Sequence, residues 1–176
     1  DVGYTNVKIS GGKINGVYGG SNHSTALYDT KILTTGGVII TDMYGGGNEG
    51  VVEGNTSVEV RDTQVNGNVY AGGNGEAAVV KTSTSVIIDG TTTIGESVPE
   101  KVTSGCVFGG GRVAEVGEAN SNDGKTNVSI LGGTIYKNVY GGANTTIIHG
   151  TTDVKVGSGE SEYKDNIHIY GTVFGG

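Results

Sequence analysis

Thr126-Asn127-Val128-Ser129-Ile130-Leu131-Gly132-Gly133-Thr134-Ile135-Tyr136-Lys137-Asn138-Val139-Tyr140-Gly141-Gly142-Ala143-Asn144 is the stretch that decides the fold. Val128 and Ile130 share parity while Asn127 and Ser129 fall between them, a period of two that puts apolar side chains on one face of a strand and polar ones on the other. Gly132-Gly133 breaks the run as a corner. Thr134-Ile135 reads as a second short strand, and Val139-Tyr140 followed by two glycines reads as a third. None of these strands is long enough to bury a core alone, so each needs a neighbour of the same kind.

The neighbours are in the sequence. Thr30 to Tyr44 and Thr56 to Tyr70 superimpose on Thr126 to Tyr140 without a gap, and Thr5 to Tyr18 does so with one deletion. The aliphatic-aromatic-small-Gly unit occurs six times, with its aromatic at Tyr18, Tyr44, Tyr70, Phe108, Tyr140 and Phe174. The first three aromatics are 26 residues apart, and the later spacings of 38, 32 and 34 are the same unit with insertions. Apolar pairs at Val51-Val52, Val79-Val80 and Ile147-Ile148 close each turn. Repetition at this period marks a solenoid. The expected fold is an all-β parallel β-solenoid (β-helix) of about six coils with three short strands per coil. Coils stacked about 4.8 Å apart would make a rod about 29 Å long. It would be one domain over 1–176, excerpted from a longer repeat array.

Composition agrees. The 35 glycines come with a single proline and no G-X-Y period, which excludes collagen, and the recurring Val and Ile exclude a flexible linker. Net charge is −7 with scattered Lys and Arg, so the basic stripe of a nucleic-acid binder is missing. No apolar run reaches the roughly 18 residues of a membrane span. The single cysteine, Cys106, reads as a small buried or half-buried residue beside Val107-Phe108. Three polar excursions leave the repeat: Asp89 to Gly105, which contains Pro99; Glu115 to Lys125; and Gly157 to Asp165.

Several columns invite a chemical reading. Asn22, Asn48, Asn74 and Asn144 each lie four residues after an aromatic, with Arg112 in the equivalent place of the fourth coil. Stacked coils would set them amide to amide as a ladder, or as a row for glycans. The aromatics form a second column, readable as a structural ladder or as a sugar-binding wall; two phenylalanines make the hydroxyl dispensable. Thr5, Thr30, Thr56, Thr84, Thr126 and Thr152 share the parity of the buried Val and Ile, which points inward and away from an ice-binding face. Gly19, Gly45, Gly109 and Gly141 are expected at corners, some with positive φ. The corners lack the aspartate series of calcium-binding β-rolls. Asp29, Asp42, Asp62, Asp89, Asp123, Asp153 and Asp165 share no column, and His23, His149 and His168 fall at different repeat positions. No catalytic, cofactor or metal site is therefore expected, and the chain is read as a non-enzyme.

The phrases Asn68-Val69-Tyr70-Ala71-Gly72-Gly73-Asn74 and Met43-Tyr44-Gly45-Gly46-Gly47-Asn48, with Gly54-Asn55-Thr56-Ser57-Val58, resemble the very large adhesin-like surface proteins of gut commensal bacteria, which string together Val-Tyr-Gly-Gly-Gly-Asn units. The resemblance covers essentially the whole chain. It implies a secreted or surface-attached solenoid and carries over no catalytic residue. The expected role is a structural or adhesive segment of an extracellular or cell-surface repeat protein, with a filament or phage-fibre subunit as the alternative. Expected partners are further coils, copies stacked head to tail, and surface glycans. Asp1 to Tyr4 and Val173 to Gly176 are repeat material, so self-association along the axis or fraying of end coils is also expected.

Overall fold

A computed structural model describes residues 1–96, 104–157 and 166–176. Among them the chain is all β: eighteen short strands, three per coil, wound into six coils. The long strands are β1 (Thr5–Ile9), β4 (Thr30–Thr34), β7 (Thr56–Arg61), β10 (Ser83–Asp89), β13 (Gly124–Ile130) and β16 (Gly150–Val156), and they form one parallel sheet in that order. The second wall is β2 (Lys13–Ile14), β5 (Val38–Ile39), β8 (Gln64–Val65), β11 (Thr93–Ile94), β14 (Gly133–Ile135) and β17 (Ile167–Ile169). The third is β3 (Val17–Tyr18), β6 (Met43–Tyr44), β9 (Val69–Tyr70), β12 (Val107–Phe108), β15 (Val139–Tyr140) and β18 (Val173–Phe174). Single parallel bridges join Val2, Ala26, Val52, Val80, Val116 and Ile148 at a fourth position. The apolar pairs that close each turn thus pair from coil to coil as the strands do.

Register follows the repeat. Val7, Ile32, Val58, Val86, Val128 and Val154 lie one above another, as do Ile9, Thr34, Val60, Ile88, Ile130 and Val156. Val58, Val60, Val128 and Ile130 are buried with Ile9, while Val7, in the first coil, is half-buried. Their columns meet Ile39, Val65, Ile94 and Ile135 of the second wall and Met43, Val69, Val107 and Val139 of the third in one apolar core. Each such side chain contributes about 1.5–3 kcal/mol when fully buried. Thr34 is the polar member of its column, and the Thr63 hydroxyl donates to it at 3.0 Å. A smaller cluster of Ala26, Val52 and Val80 fills the fourth corner.

The corners are held by short polar side chains that reach along the axis. The Asp29 carboxylate accepts from the backbone N–H of Asn55 (2.8 Å), and that of Asp42 accepts from Asn68 (2.6 Å). The side chain of Asn68 accepts in turn from Gly105 and Cys106, both at 3.0 Å. Asp62 accepts from the N–H and hydroxyl of Thr91, which hold its carboxyl below the usual carboxylate range. These bonds satisfy turn amides that have no strand partner.

Four glycines depart from the expected positive φ. Gly19, Gly45, Gly109 and Gly141 do not have positive φ; the left-handed residues include Gly12 (91°), Gly37 (97°) and Gly133 (89°) at the Gly-Gly corner between the first and second walls. What the other four require is space. A Cβ at Gly45 would stand 2.1 Å from the carbonyl oxygen of Ala71, and one at Gly109 would stand 2.2 Å from that of Gly141. Ala71 is the one non-glycine of this column, and its methyl joins the core. The Pro99 segment and most of the Gly157 to Asp165 excursion lie outside the described residues.

Val128→Asp would place an unpaired charge in the column between Val86 and Val154, and we expect it to cost several kcal/mol in a denaturant melt. Gly45→Val, which presses a branched side chain against the Ala71 carbonyl and the Val58 methyl 2.8 Å away, should cost at least about 2 kcal/mol. Unchanged midpoints would overturn the inward column and the close coil contact respectively.

Candidate functional site

Three side-chain columns run along the rod. The first is internal. The carbonyl after each aromatic turns away from the coil-to-coil backbone ladder, and a threonine hydroxyl of the same coil donates to it. Thr30 reaches Gly45 (2.6 Å), while Thr56 reaches Ala71, Thr84 reaches Gly109 and Thr126 reaches Gly141, each at 2.5 Å. Thr5 and Thr152 make the same bond to Gly19 and Gly175. Thr30, Thr56, Thr84 and Thr126 are buried. Their parity with Val and Ile points them inward, and there they satisfy a buried acceptor and tie the first wall to the third. Among the described residues no buried side-chain nitrogen or oxygen lacks a partner.

The second column is the aromatic one. Tyr18, Tyr44, Tyr70, Phe108, Tyr140 and Phe174 stack face to face, with successive ring centroids 4.7–4.9 Å apart and planes within 11° of parallel. Parallel strand register forces this spacing on any outward side chain of the third wall. Tyr44, Tyr70 and Phe108 are buried, whereas the end rings Tyr18 and Phe174 are 38% and 41% exposed. Interior rings therefore have no face to offer a sugar. The Tyr44 hydroxyl donates to Asp42 (3.0 Å), and Asn138 donates to the Tyr140 hydroxyl (2.7 Å). Burial pushes the Tyr44 phenol well above its ordinary value near 10.0, and the Asp42 carboxylate adds to the shift. Burial likewise raises Tyr70. The half-buried Cys106 packs against these rings, and burial pushes its thiol up, away from a reactive thiolate.

The third column is the amide row. Asn48 donates to Asn22 (2.8 Å) and Asn74 to Asn48 (2.7 Å), and Arg112 Nε then donates to Asn74 (2.6 Å). Asn144 is not joined to it. Its backbone N–H keeps register on Gly111 (3.1 Å), but the guanidinium below, a donor without an acceptor, offers its amide no relay. Two stacked pairs fall outside these columns, Tyr4 with Tyr28 (4.7 Å) and Tyr136 with Tyr170 (5.4 Å). Each occurs in adjacent coils only, so the six-fold pattern carried no signal for either. His149 meets Glu115 at 2.9 Å, and no group of three or more His, Cys, Asp and Glu side chains converges for a metal among the described residues. Among the described residues no helix is long and apolar enough to cross a membrane.

Compared with protein-family models, curated proteins and solved structures, the chain matches none.

Two outcomes test the columns. Thr56→Val removes the donor to a buried carbonyl and should cost about 1–3 kcal/mol, with most of it restored in Thr56→Ser, as read from urea melts. The second test is alkaline. Because the folded-state phenols of Tyr44 and Tyr70 hold their protons to higher pH than the unfolded chain, their contribution is complete below pH 10.0 and is lost as pH rises from there toward the folded-state values. Thermal midpoints should therefore fall above about pH 10, and less steeply in the Tyr44→Phe/Tyr70→Phe double variant. Equal slopes would overturn the assignment.

Proposed function

We propose that the chain is a structural or adhesive segment of an extracellular or cell-surface repeat protein. The observation that carries the reading is the unbroken run of like residues along one axis. Ring and apolar columns join coil to coil while the hydroxyl column closes each described coil on itself, so side chains that elsewhere assemble a site are here committed to holding the stack together. Such a design yields length and stiffness from a short unit. The walls face outward with polar side chains such as Lys31, Ser57, Glu59 and Lys155, as a rod standing in water requires. A hydrogen-bonded stack also needs no disulfide, and the single thiol is free. The reading assigns the chain no catalytic role.

A second reading, a subunit of an extracellular filament or phage fibre, is favoured by the match of side-chain columns along the rod. Val17 and Tyr18 of the first coil belong to the same columns as Val173 and Phe174 of the sixth. One copy could continue the columns of another, although Lys8 would then meet Lys155. The two readings part on what covers those coils.

Antibodies raised against the folded chain should label intact producing cells or their shed fibres without permeabilisation; labelling only after permeabilisation would overturn an extracellular location. Sedimentation of the purified chain separates the two readings. Mass that grows with concentration favours the filament, and a constant monomer favours the segment.

A further inference from the structure

One surface feature stands apart from the columns. Tyr4 and Tyr28 stack at 4.7 Å on the corner before the first wall, and they are 74% and 52% exposed. Bridges at Ala26–Val52 and Val52–Val80, with Thr30–Thr56 and Thr56–Thr84 beyond them, place Gly54 next above Tyr28 and Thr82 above Gly54. The ring stack thus stops at a glycine. No larger residue fits there, because a Cβ on Gly54 would meet the Asp29 carboxylate at 2.5 Å and the Tyr28 carbonyl carbon at 2.7 Å.

A cleft of about 330 Å³ opens alongside, lined by Glu53, Lys81, Thr82, Glu118, Ser121 and Asp123. Tyr28 is not one of its walls; its ring stands one coil away, beside the residue next to Glu53. Lys81 holds the cleft together, with Nζ 2.8 Å from Glu53 and 3.7 Å from Glu118. Thr82 donates to Asn55, whose side chain donates to Asp29 (3.0 and 3.1 Å). The upper wall comes from the excursion after Val116, where Ser121 donates to the Glu118 carbonyl (2.7 Å) and accepts from the Asp123 amide (3.2 Å). This volume lies at the lower end of the roughly 300–1,000 Å³ of small-molecule sites.

A flat ring face beside a rim of carboxylates and hydroxyls is the complement of a pyranose, which has one apolar C–H face and a rim of hydroxyl donors. We propose that this corner binds a neutral or amino-bearing saccharide, one sugar ring lying over Tyr28 at the level of Gly54 and the next directing its hydroxyls to Glu53, Thr82 and Glu118. Three carboxylates line the cleft against one ammonium, so uronic and other acidic sugars are repelled. The proposal deepens the adhesive side of the reading above and rests on it only in placing the rod where glycans are.

Calorimetric titration of the purified chain with cellotriose, chitotriose, the glucosamine trimer and the galacturonic acid trimer decides it. We expect saturable binding of at least one of the first three and none of the galacturonate. Tyr28→Ala should weaken binding about tenfold or more while Tyr28→Phe stays within about twofold, because the face and not the hydroxyl makes the contact. Glu118→Gln, at an exposed position outside the apolar core, should weaken it severalfold at an unchanged melting temperature. The proposal is overturned if none of the first three trimers saturates, if galacturonate binds as well as they do, or if both Tyr28→Ala and Glu118→Gln bind as the parent does. Any of these results leaves the location of the rod to the antibody test, which does not depend on sugar binding.

Discussion

Parallel backbone hydrogen bonding between successive coils is the constraint from which the rest of the structure follows. It fixes the distance from one coil to the next at the strand spacing of about 4.8 Å and allows no sideways shift without moving a whole side-chain set to the opposite face. Every residue then lies over its counterpart, and each column must consist of groups that tolerate their own kind at that distance. Flat rings do, because the spacing is close to a stacking distance. Amides do, because each is donor and acceptor at once, and β-branched side chains do, because they pack on a pleated wall. The threonine hydroxyls work differently. Each closes its own coil by meeting a carbonyl that the axial ladder leaves out, so the column repeats without its members having to bond to one another.

Much of this was legible because the sequence repeats. Val128 and Ile130 reveal an inward face through alternation alone, and the gapless match of Thr30 to Tyr44 with Thr126 to Tyr140 sets the register that the strands adopt. What escaped was whatever depends on direction within a coil. The threonine parity pointed inward, but no pattern says which carbonyl a hydroxyl will meet. Glycine after an aromatic suggests unusual backbone angles, whereas at Gly45 and Gly109 it reflects the nearness of the next coil's carbonyl. Both causes select the same residue, and only coordinates separate them. Left-handed geometry went instead to the Gly-Gly corner and, in the third coil, to Asp62 (φ 48°).

The candidate site was less legible for a related reason. A site that recognises one ligand need occur only once, and a repeating pattern carries only what recurs. Tyr4 and Tyr28 share a column with Gly54 and Thr82, so their stacking looks like noise in a six-coil alignment. The amide row shows the opposite case. Asn144 fits the pattern, yet the Arg112 side chain beneath it ends the relay, because a guanidinium gives hydrogen bonds and accepts none.

The ring column also has a mechanical meaning. It forms a cluster of its own beside the third wall, apart from the main apolar core, with its members already near contact. Curving the rod so that this wall becomes concave would press the rings together against steep repulsion, and curving it the other way would open them and forfeit their attraction. Among the described residues the remaining walls carry no comparable stack through all six coils. Flexure should accordingly be stiffest in the plane that contains the axis and the ring column and softer at right angles to it. A longer array on this plan would behave as a ribbon with one preferred plane of bending, although its cross-section is nearly closed.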